Sequence, residues 1–241
     1  MKGFFTILFL TIAICSFAQT KKFKNLEDYG SWMMNYYKNP EPHILFDAFK
    51  YGAHNKKIEK DGNQIMIISF FSSVLRKDTT AQLAFYKKIG NTKDEDFIYI
   101  FGISLWQIHT TFSLKLLDTF LNQSNTIKYQ SGFNKIRAEG FLDIWTDPIR
   151  HPEHLDMLWA DFFATGNEES VKKIISKLSD LNSNNQFDQV TAVSAKWSLI
   201  SNSIQHQRVL EICMAVRESY DNKIEEALDK IIEEAKMGRK N

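Results

Sequence analysis

The sequence has 241 residues, of which 44% are apolar and 24% are charged, with only four prolines and ten glycines. This composition excludes collagen-like and intrinsically disordered chains and predicts a packed core. The chain has 30 basic and 29 acidic residues, so no excess of positive charge points to a nucleic acid partner.

The first 18 residues have the pattern of a cleaved secretory signal. Lys2 precedes an apolar run from Phe4 to Cys15, and the small residue Ala18 suits cleavage directly after it. The run is too short to cross a bilayer core of about 30 Å, which needs ~20 residues. A lipid-modified Cys15 is the alternative, although the bulky Ile14 stands where lipoprotein signals place a small residue.

The sequence therefore predicts an exported protein, periplasmic or extracellular, with no transmembrane span in its mature chain. Residues 19–241 are predicted to form one domain. Cys15 leaves with the signal, so Cys213 is the one cysteine of the mature chain and has no partner for an internal disulfide. Its apolar helical neighbourhood predicts a small buried side chain.

Amphipathic segments begin the mature chain. Leu26 to Tyr37 follows Asn25, a suitable helix N-cap, and a polar linker is predicted from Asn55 to Asn63. Ile65 to Phe71 is compatible with a buried strand or a buried helix. The run continues to Leu75 without turn residues, which favours a helix.

The later segments form helical hairpins. Asp94 leads into one predicted helix, and Thr110 leads into the next. Pro152 opens a further helix, which Gly166 ends before Asn167 caps its successor. The remaining predicted helices are Val190 to Ser203, with Val193, Trp197 and Ile200 on its apolar face, then Val209 to Tyr220, and Ile224 to Met237.

These hairpins recur at unequal intervals. The apolar residues that anchor the second helix of each pair are Leu83, Leu114, Ile174 and Val209, at separations of 31, 60 and 35 residues. The double interval leaves room for a degenerate unit around Phe133 to Trp145. The sequence therefore predicts an all-α fold, an irregular α-solenoid of about eleven helices in antiparallel pairs.

One inter-helix turn resembles that of tetratricopeptide-like repeat proteins. In the stretch from Phe162 to Val171, an aromatic pair, a small residue and Gly166-Asn167 precede the second helix. The chain departs from that family in its irregular periods and in Ser170, where alanine is usual. The resemblance implies binding of a protein or peptide on a concave face, and it assigns no contact residue.

The densest group of potential metal ligands is the segment from Asp147 to His154, where His151, Glu153 and His154 stand close together. Zinc-binding helices space two histidines four residues apart, whereas these are three apart and flank Pro152. We therefore favour a helix start over a metal site, with His151 as the cap and Glu153 near the positive end of the helix dipole.

The sequence contains neither the Gly-x-Ser-x-Gly turn of hydrolases nor a glycine-rich phosphate loop. We predict no catalytic residue and no cofactor. Trp106, Trp145, Trp159 and Trp197 are predicted to pack in the core. These patterns favour an exported binding or scaffold protein that recognises a protein or peptide. The alternatives are a metal-dependent hydrolase at His151, Glu153 and His154, or a carrier of a small molecule or lipid.

Overall fold

A computed structural model describes residues 23–55, 64–90 and 92–240, and within these ranges the chain contains helices and no strand. The all-α prediction is confirmed, with twelve α-helices where about eleven were expected. They are α1 (Leu26–Asn35), α2 (Leu45–Ala53), α3 (Gln64–Leu75), α4 (Thr79–Ile89), α5 (Glu95–Ile108), α6 (Thr111–Leu121), α7 (Gln130–Glu139), α8 (Pro152–Thr165), α9 (Glu168–Ser176), α10 (Gln186–Gln205), α11 (Gln207–Val216) and α12 (Asn222–Gly238). Short 3₁₀ segments lie at Pro42–Ile44, Ile127–Tyr129, Lys177–Asp180 and Arg217–Ser219.

Two predicted segments fall wholly or mostly outside the described ranges. They are the amino-terminal signal, residues 1–18, and the linker from Asn55 to Asn63, of which only Asn55 is described. Among the described helices, none combines the length and the apolar character that crossing a membrane requires.

Polar side chains cap the first turns of helices at the positions that the sequence predicts. The Asn25 side chain accepts a hydrogen bond from the backbone N–H of Asp28 (2.8 Å), and Asp94 accepts one from Phe97 (3.1 Å). Thr110 forms a reciprocal capping box at the start of α6. Such caps satisfy backbone donors that the first turn of a helix leaves unpaired.

The start of α8 differs in one respect from the prediction. Pro152 is its first residue, and Gly166 ends it with a left-handed φ of 71°, both as expected. His151 occupies the N-cap position, but its side chain makes no capping hydrogen bond. The proposed role of His151 as a side-chain cap is therefore wrong; the fixed φ of Pro152 begins the helix instead.

Helix α3 lies at the centre of the core. The ambiguous run from Ile65 to Phe71 is helical, and Phe70 and Phe71 are fully buried. Phe70 packs edge-on against Trp32 of α1, with ring centroids 5.5 Å apart, and Phe71 packs in the same way against Phe49 of α2 at 5.1 Å. A helix surrounded on several sides carries apolar residues around its circumference, which removes the usual 3.6-residue pattern.

The order of packing departs from a simple stack. Helices α8 to α12 contact their neighbours along the chain, whereas among α3 to α6 the helix α3 packs on both α4 and α5, and α6 packs on both α4 and α5. The most extensive helix contact, however, joins α3 to α8, although four helices separate them in sequence. In a solenoid each unit contacts only its neighbours. The predicted solenoid arrangement is therefore not established, and the α3–α8 contact joins the two halves of the described chain into one core.

Gly102 permits a close approach between α5 and α7. A Cβ atom added at Gly102 would overlap the ring of Phe133, a buried residue of α7. We expect Gly102→Ala to lower the free energy of unfolding by about 1–3 kcal/mol, the usual cost of overpacking. Gly30→Ala in α1 is the control, since beyond the adjoining residues and the helix's own backbone no described atom lies within 4 Å of the added Cβ.

The control should raise the free energy of unfolding by about 0.5–1 kcal/mol, because alanine loses less backbone entropy than glycine in a helix. Urea denaturation of the two variants measures both effects. Equal changes in the free energy of unfolding for Gly102→Ala and Gly30→Ala would contradict the close packing at Gly102.

Candidate functional site

The segment from Gly140 to His151 connects α7 to α8 without forming a helix and holds the first candidate site. The Asp143 carboxylate accepts a hydrogen bond from the backbone N–H of Trp145 (2.9 Å), and the Asp147 carboxylate accepts one from Asp143 N–H (2.8 Å). Burial disfavours the ionised form of Asp143, but hydrogen bonds from Trp145 and Thr146 outweigh it and lower the pKa of this carboxyl. The segment is thus held by its own polar groups.

Lys173 of α9 anchors the same segment from the other side. Its ammonium donates hydrogen bonds to the carbonyl oxygens of Trp145 and Asp147, both at 2.6 Å. Burial lowers the pKa of Lys173, while Asp143 and Asp147 oppose that shift. Because two of its three donors are engaged, Lys173 positions the segment rather than presenting a free amine.

The three candidate metal ligands share one cleft but make different contacts. His151, Glu153 and His154 all line an open cleft of about 620 Å³. His154 is buried, and its Nε2 lies 3.0 Å from the carbonyl oxygen of Ile144, so this nitrogen carries the proton that it donates. Burial lowers the pKa of His154. His151 and Glu153 are exposed.

Within residues 23–55, 64–90 and 92–240, no group of three or more His, Cys, Asp and Glu side chains is placed to hold a metal ion. The hydrogen bond of His154 to Ile144 also occupies one of the two ring nitrogens through which a metal could bind. Proximity in the sequence therefore brings these residues to one cleft without arranging them as ligands.

A buried polar cluster between α8 and α9 gives Ser170 a structural role. Asp161 of α8 is buried and accepts hydrogen bonds from the hydroxyl of Ser170 (2.5 Å) and the side-chain amide of Asn167 (3.1 Å). A serine at this position thus stabilises a buried carboxylate that alanine would leave short of a donor. The contacts of this cluster are those of a structural hydrogen-bond network.

The second candidate site is the outward face of α10. Phe187, Val190, Val193 and Trp197 are 74%, 51%, 54% and 73% exposed. Phe187 and Trp197 are the two most exposed large apolar side chains among the described residues. Their positions follow a helical spacing that places all four on one side of α10. We call these four residues the α10 stripe.

Helix α10 instead packs on the core through its smaller residues. Its buried residues are Thr191, Ala192, Ala195, Leu199 and Ser203. Small side chains let the helix approach its neighbours closely, since the distance between helix axes depends on the residues in contact. Leu199 is the one large apolar side chain among these buried residues, whereas Phe187, Val190, Val193 and Trp197 remain outside.

The prediction that Trp197 packs in the core is wrong, and so is the assignment of Val193 to the buried face of its helix. Trp159 is buried as predicted, whereas Trp106 and Trp145 are only partly buried. Leu83, predicted as an anchor, is 37% exposed. The feature of the sequence that indicates the α10 stripe is a helix with two apolar faces, one composed mostly of small residues and one of large residues.

Comparisons with protein-family models, with curated proteins and with solved structures give no significant match.

Proposed function

We propose that this chain is an exported binding protein that recognises a protein partner through the α10 stripe. The observation that carries the proposal is the exposure of Phe187, Val190, Val193 and Trp197 on one side of a single helix. Single exposed apolar residues are ordinary, but a contiguous apolar patch on a soluble chain is typical of an interaction surface.

The chemistry of the stripe favours a protein partner. Tryptophan and other aromatic residues are enriched among the residues that dominate protein interfaces. An apolar helix face with residues at i, i+3 and i+7 suits packing against another helix. Val190, Val193 and Trp197 have this spacing.

A membrane surface is the competing partner for an exposed apolar helix face. Helices that lie on membranes usually carry several lysines or arginines on their polar side. Helix α10 contains one basic residue, Lys196, and one acidic residue, Asp188. With so little positive charge, α10 is only weakly attracted to anionic lipid. A protein is therefore the favoured partner of the stripe.

The clefts of the structure give less support to a carrier or a hydrolase. The cleft beside His151 is open and is lined by charged residues that include Arg150 and Glu153. Sites for apolar small molecules are mostly enclosed and apolar. The predicted partner class, a protein or peptide, therefore remains the proposal, and α10 is the surface assigned to it.

Photo-cross-linking in the exporting cell tests the proposal. A photoreactive amino acid replaces Val193 in one variant and Tyr99, which is 46% exposed on α5, in the control. We expect a discrete protein adduct from position 193, absent at position 99, which disappears when Trp197→Ser is added. The proposal would be overturned by cross-links to lipid, or by cross-links formed only within a single chain. Equal cross-linking at positions 193 and 99 would also overturn it.

A further inference from the structure

We propose that the α10 stripe pairs with the α10 stripe of a second copy of this chain, so that two antiparallel α10 helices form a twofold dimer. This inference rests on the proposed function and names its partner. It is carried by the spacing of the stripe, by its lack of charge and by the sizes of its side chains.

The spacing is that of a helix-pairing seam. Val190, Val193, Trp197, Ile200 and Ile204 follow one another at alternating intervals of three and four residues. This is the spacing of the a and d positions of a coiled coil. Ile200 and Ile204 are partly buried at the carboxyl end, where Ile204 lies against Gly238 of α12. The open part of the seam is therefore its amino-terminal half.

The charge pattern favours a second copy over an unrelated helix. Charged residues beside a coiled-coil seam usually determine which partner binds and in which orientation. The side chain of Asp188 faces Lys177 in an ion pair of 2.7 Å, and Lys196 lies 4.0 Å from Glu234 of α12. The stripe itself is uncharged, so its own residues bring no like charges together across a twofold axis, and the charges that matter are those that flank it.

The Lys196–Glu234 ion pair flanks the seam, and its charges can complement those of the same pair in the second copy. An antiparallel pairing brings Lys196 of one copy towards Lys196 of the other, because this position faces its own equivalent near the axis. In each copy Glu234 lies beside Lys196. Each Lys196 can then also attract Glu234 of the second copy, which offsets the repulsion between the lysines.

The side-chain sizes select the antiparallel orientation. A parallel pair places Trp197 against its own copy, so that the two largest side chains compete for one layer. An antiparallel pair with its axis midway between Val193 and Trp197 places Trp197 against Val193 of the second copy. It also places Val190 against Ile200 of the second copy. Layers that combine a large and a small residue fill space without strain.

The area of the stripe indicates a reversible dimer. Two aromatic side chains that are about three-quarters exposed contribute roughly 300 Å² per copy, and the two valines add to this. Standard interfaces bury about 800 Å² per partner. The stripe therefore supplies the apolar centre of an interface of modest size, and we expect a dissociation constant in the micromolar range.

Sedimentation equilibrium of the full chain, purified as the exporting host releases it, measures the dissociation constant. We expect a monomer–dimer equilibrium that Trp197→Ser weakens by about tenfold or more, as for a central interface aromatic. Tyr99→Ser is the matched control and should leave the equilibrium unchanged. Circular dichroism confirms that both variants keep their helix content.

Disulfide trapping tests the register independently. Ser194 lies on the stripe side close to the inferred axis, so Ser194→Cys should form an intermolecular disulfide under mild oxidation. Thr119→Cys, exposed on α6, should not. The native Cys213 is fully buried, and burial raises the pKa of its thiol to about 11, so it does not compete.

The inference would be overturned if the wild-type chain stayed monomeric at 100 µM, about a hundredfold above a micromolar dissociation constant. It would also be overturned if Trp197→Ser left the dimer intact. Equal trapping at positions 194 and 119 would do the same. A monomeric chain whose position 193 cross-links to a different protein would overturn the dimer and leave the proposed function standing. The absence of any protein adduct would overturn both.

Discussion

Phe162→Ala is expected to lower the free energy of unfolding by about 3–5 kcal/mol, the cost of a cavity left by a buried aromatic ring. Phe162 is fully buried in α8, the helix that joins the two halves of the core. Its ring packs against Tyr37, with centroids 4.8 Å apart, and against Phe163 at 5.9 Å. Chemical denaturation followed by circular dichroism measures the loss.

Phe187→Ala is the matched control, because it removes the same side chain from the exposed side of α10. At protein concentrations too low for association, it should change the free energy of unfolding by less than ~0.5 kcal/mol. Low concentration matters because dimerisation stabilises the folded state by mass action. If the two phenylalanine variants lost similar stability, Phe187 would have to be packed, contrary to its exposure.

The stability of the folded chain is expected to fall as the pH drops from 6.5 to 4, and His206 is a main cause. This residue is buried between α10 and α11, where Nδ1 lies 3.4 Å from the Tyr37 hydroxyl and the ring packs against Phe163. Burial lowers the pKa of His206 to about 4, and the positive charges of Lys38 and Arg239 add to this shift.

The sign follows from proton linkage. Between pH 6.5 and 4 the unfolded imidazole binds a proton that the folded imidazole does not, so the unfolded state gains stability as the pH falls. A shift of this size corresponds to roughly 3 kcal/mol. Burial also lowers the pKa of His154, which adds a contribution of the same sign.

His206→Phe should flatten this pH dependence, because phenylalanine keeps the ring contacts with Tyr37 and Phe163 and does not titrate. Unfolding by urea at pH 7 and at pH 4.5 gives the comparison. The variant should lose less stability between the two values than the wild type. An equal loss in both proteins would show that His206 does not control the acid sensitivity.

Local features of the fold were predictable from the sequence because their causes are local. Asn25, Asp94 and Asn167 cap helices through backbone groups two or three residues away. Pro152 and Gly166 bound α8 through their own dihedral angles. Neither effect depends on the rest of the chain.

The contacts that organise the candidate sites were not predictable, because they join distant parts of the sequence. The α3–α8 contact leaves no pattern in either helix alone. Lys173 reaches the segment at Trp145 and Asp147 from a different helix. Sequence proximity indicated only that His151 and His154 lie near each other, and it gave no information on the cleft that they line or on the hydrogen bond that engages His154.

The orientation of α10 was mispredicted because two faces of the helix are apolar. Large residues such as Trp197 gain more from burial than small ones, which favoured the wrong face. The structure buries Ala192 and Ala195 instead, since they permit close contact between helices. Side-chain size alone does not determine which of two apolar faces points inward.

Hydroxyl-radical footprinting of the full chain over a range of protein concentrations tests the outward stripe and its self-association together. At low concentration Trp197 should oxidise much faster than Trp159, which is 2% exposed, and its rate should fall as concentration rises while that of Trp159 stays constant. Slow oxidation of Trp197 at every concentration would show that the stripe is packed within its own chain and would contradict the account.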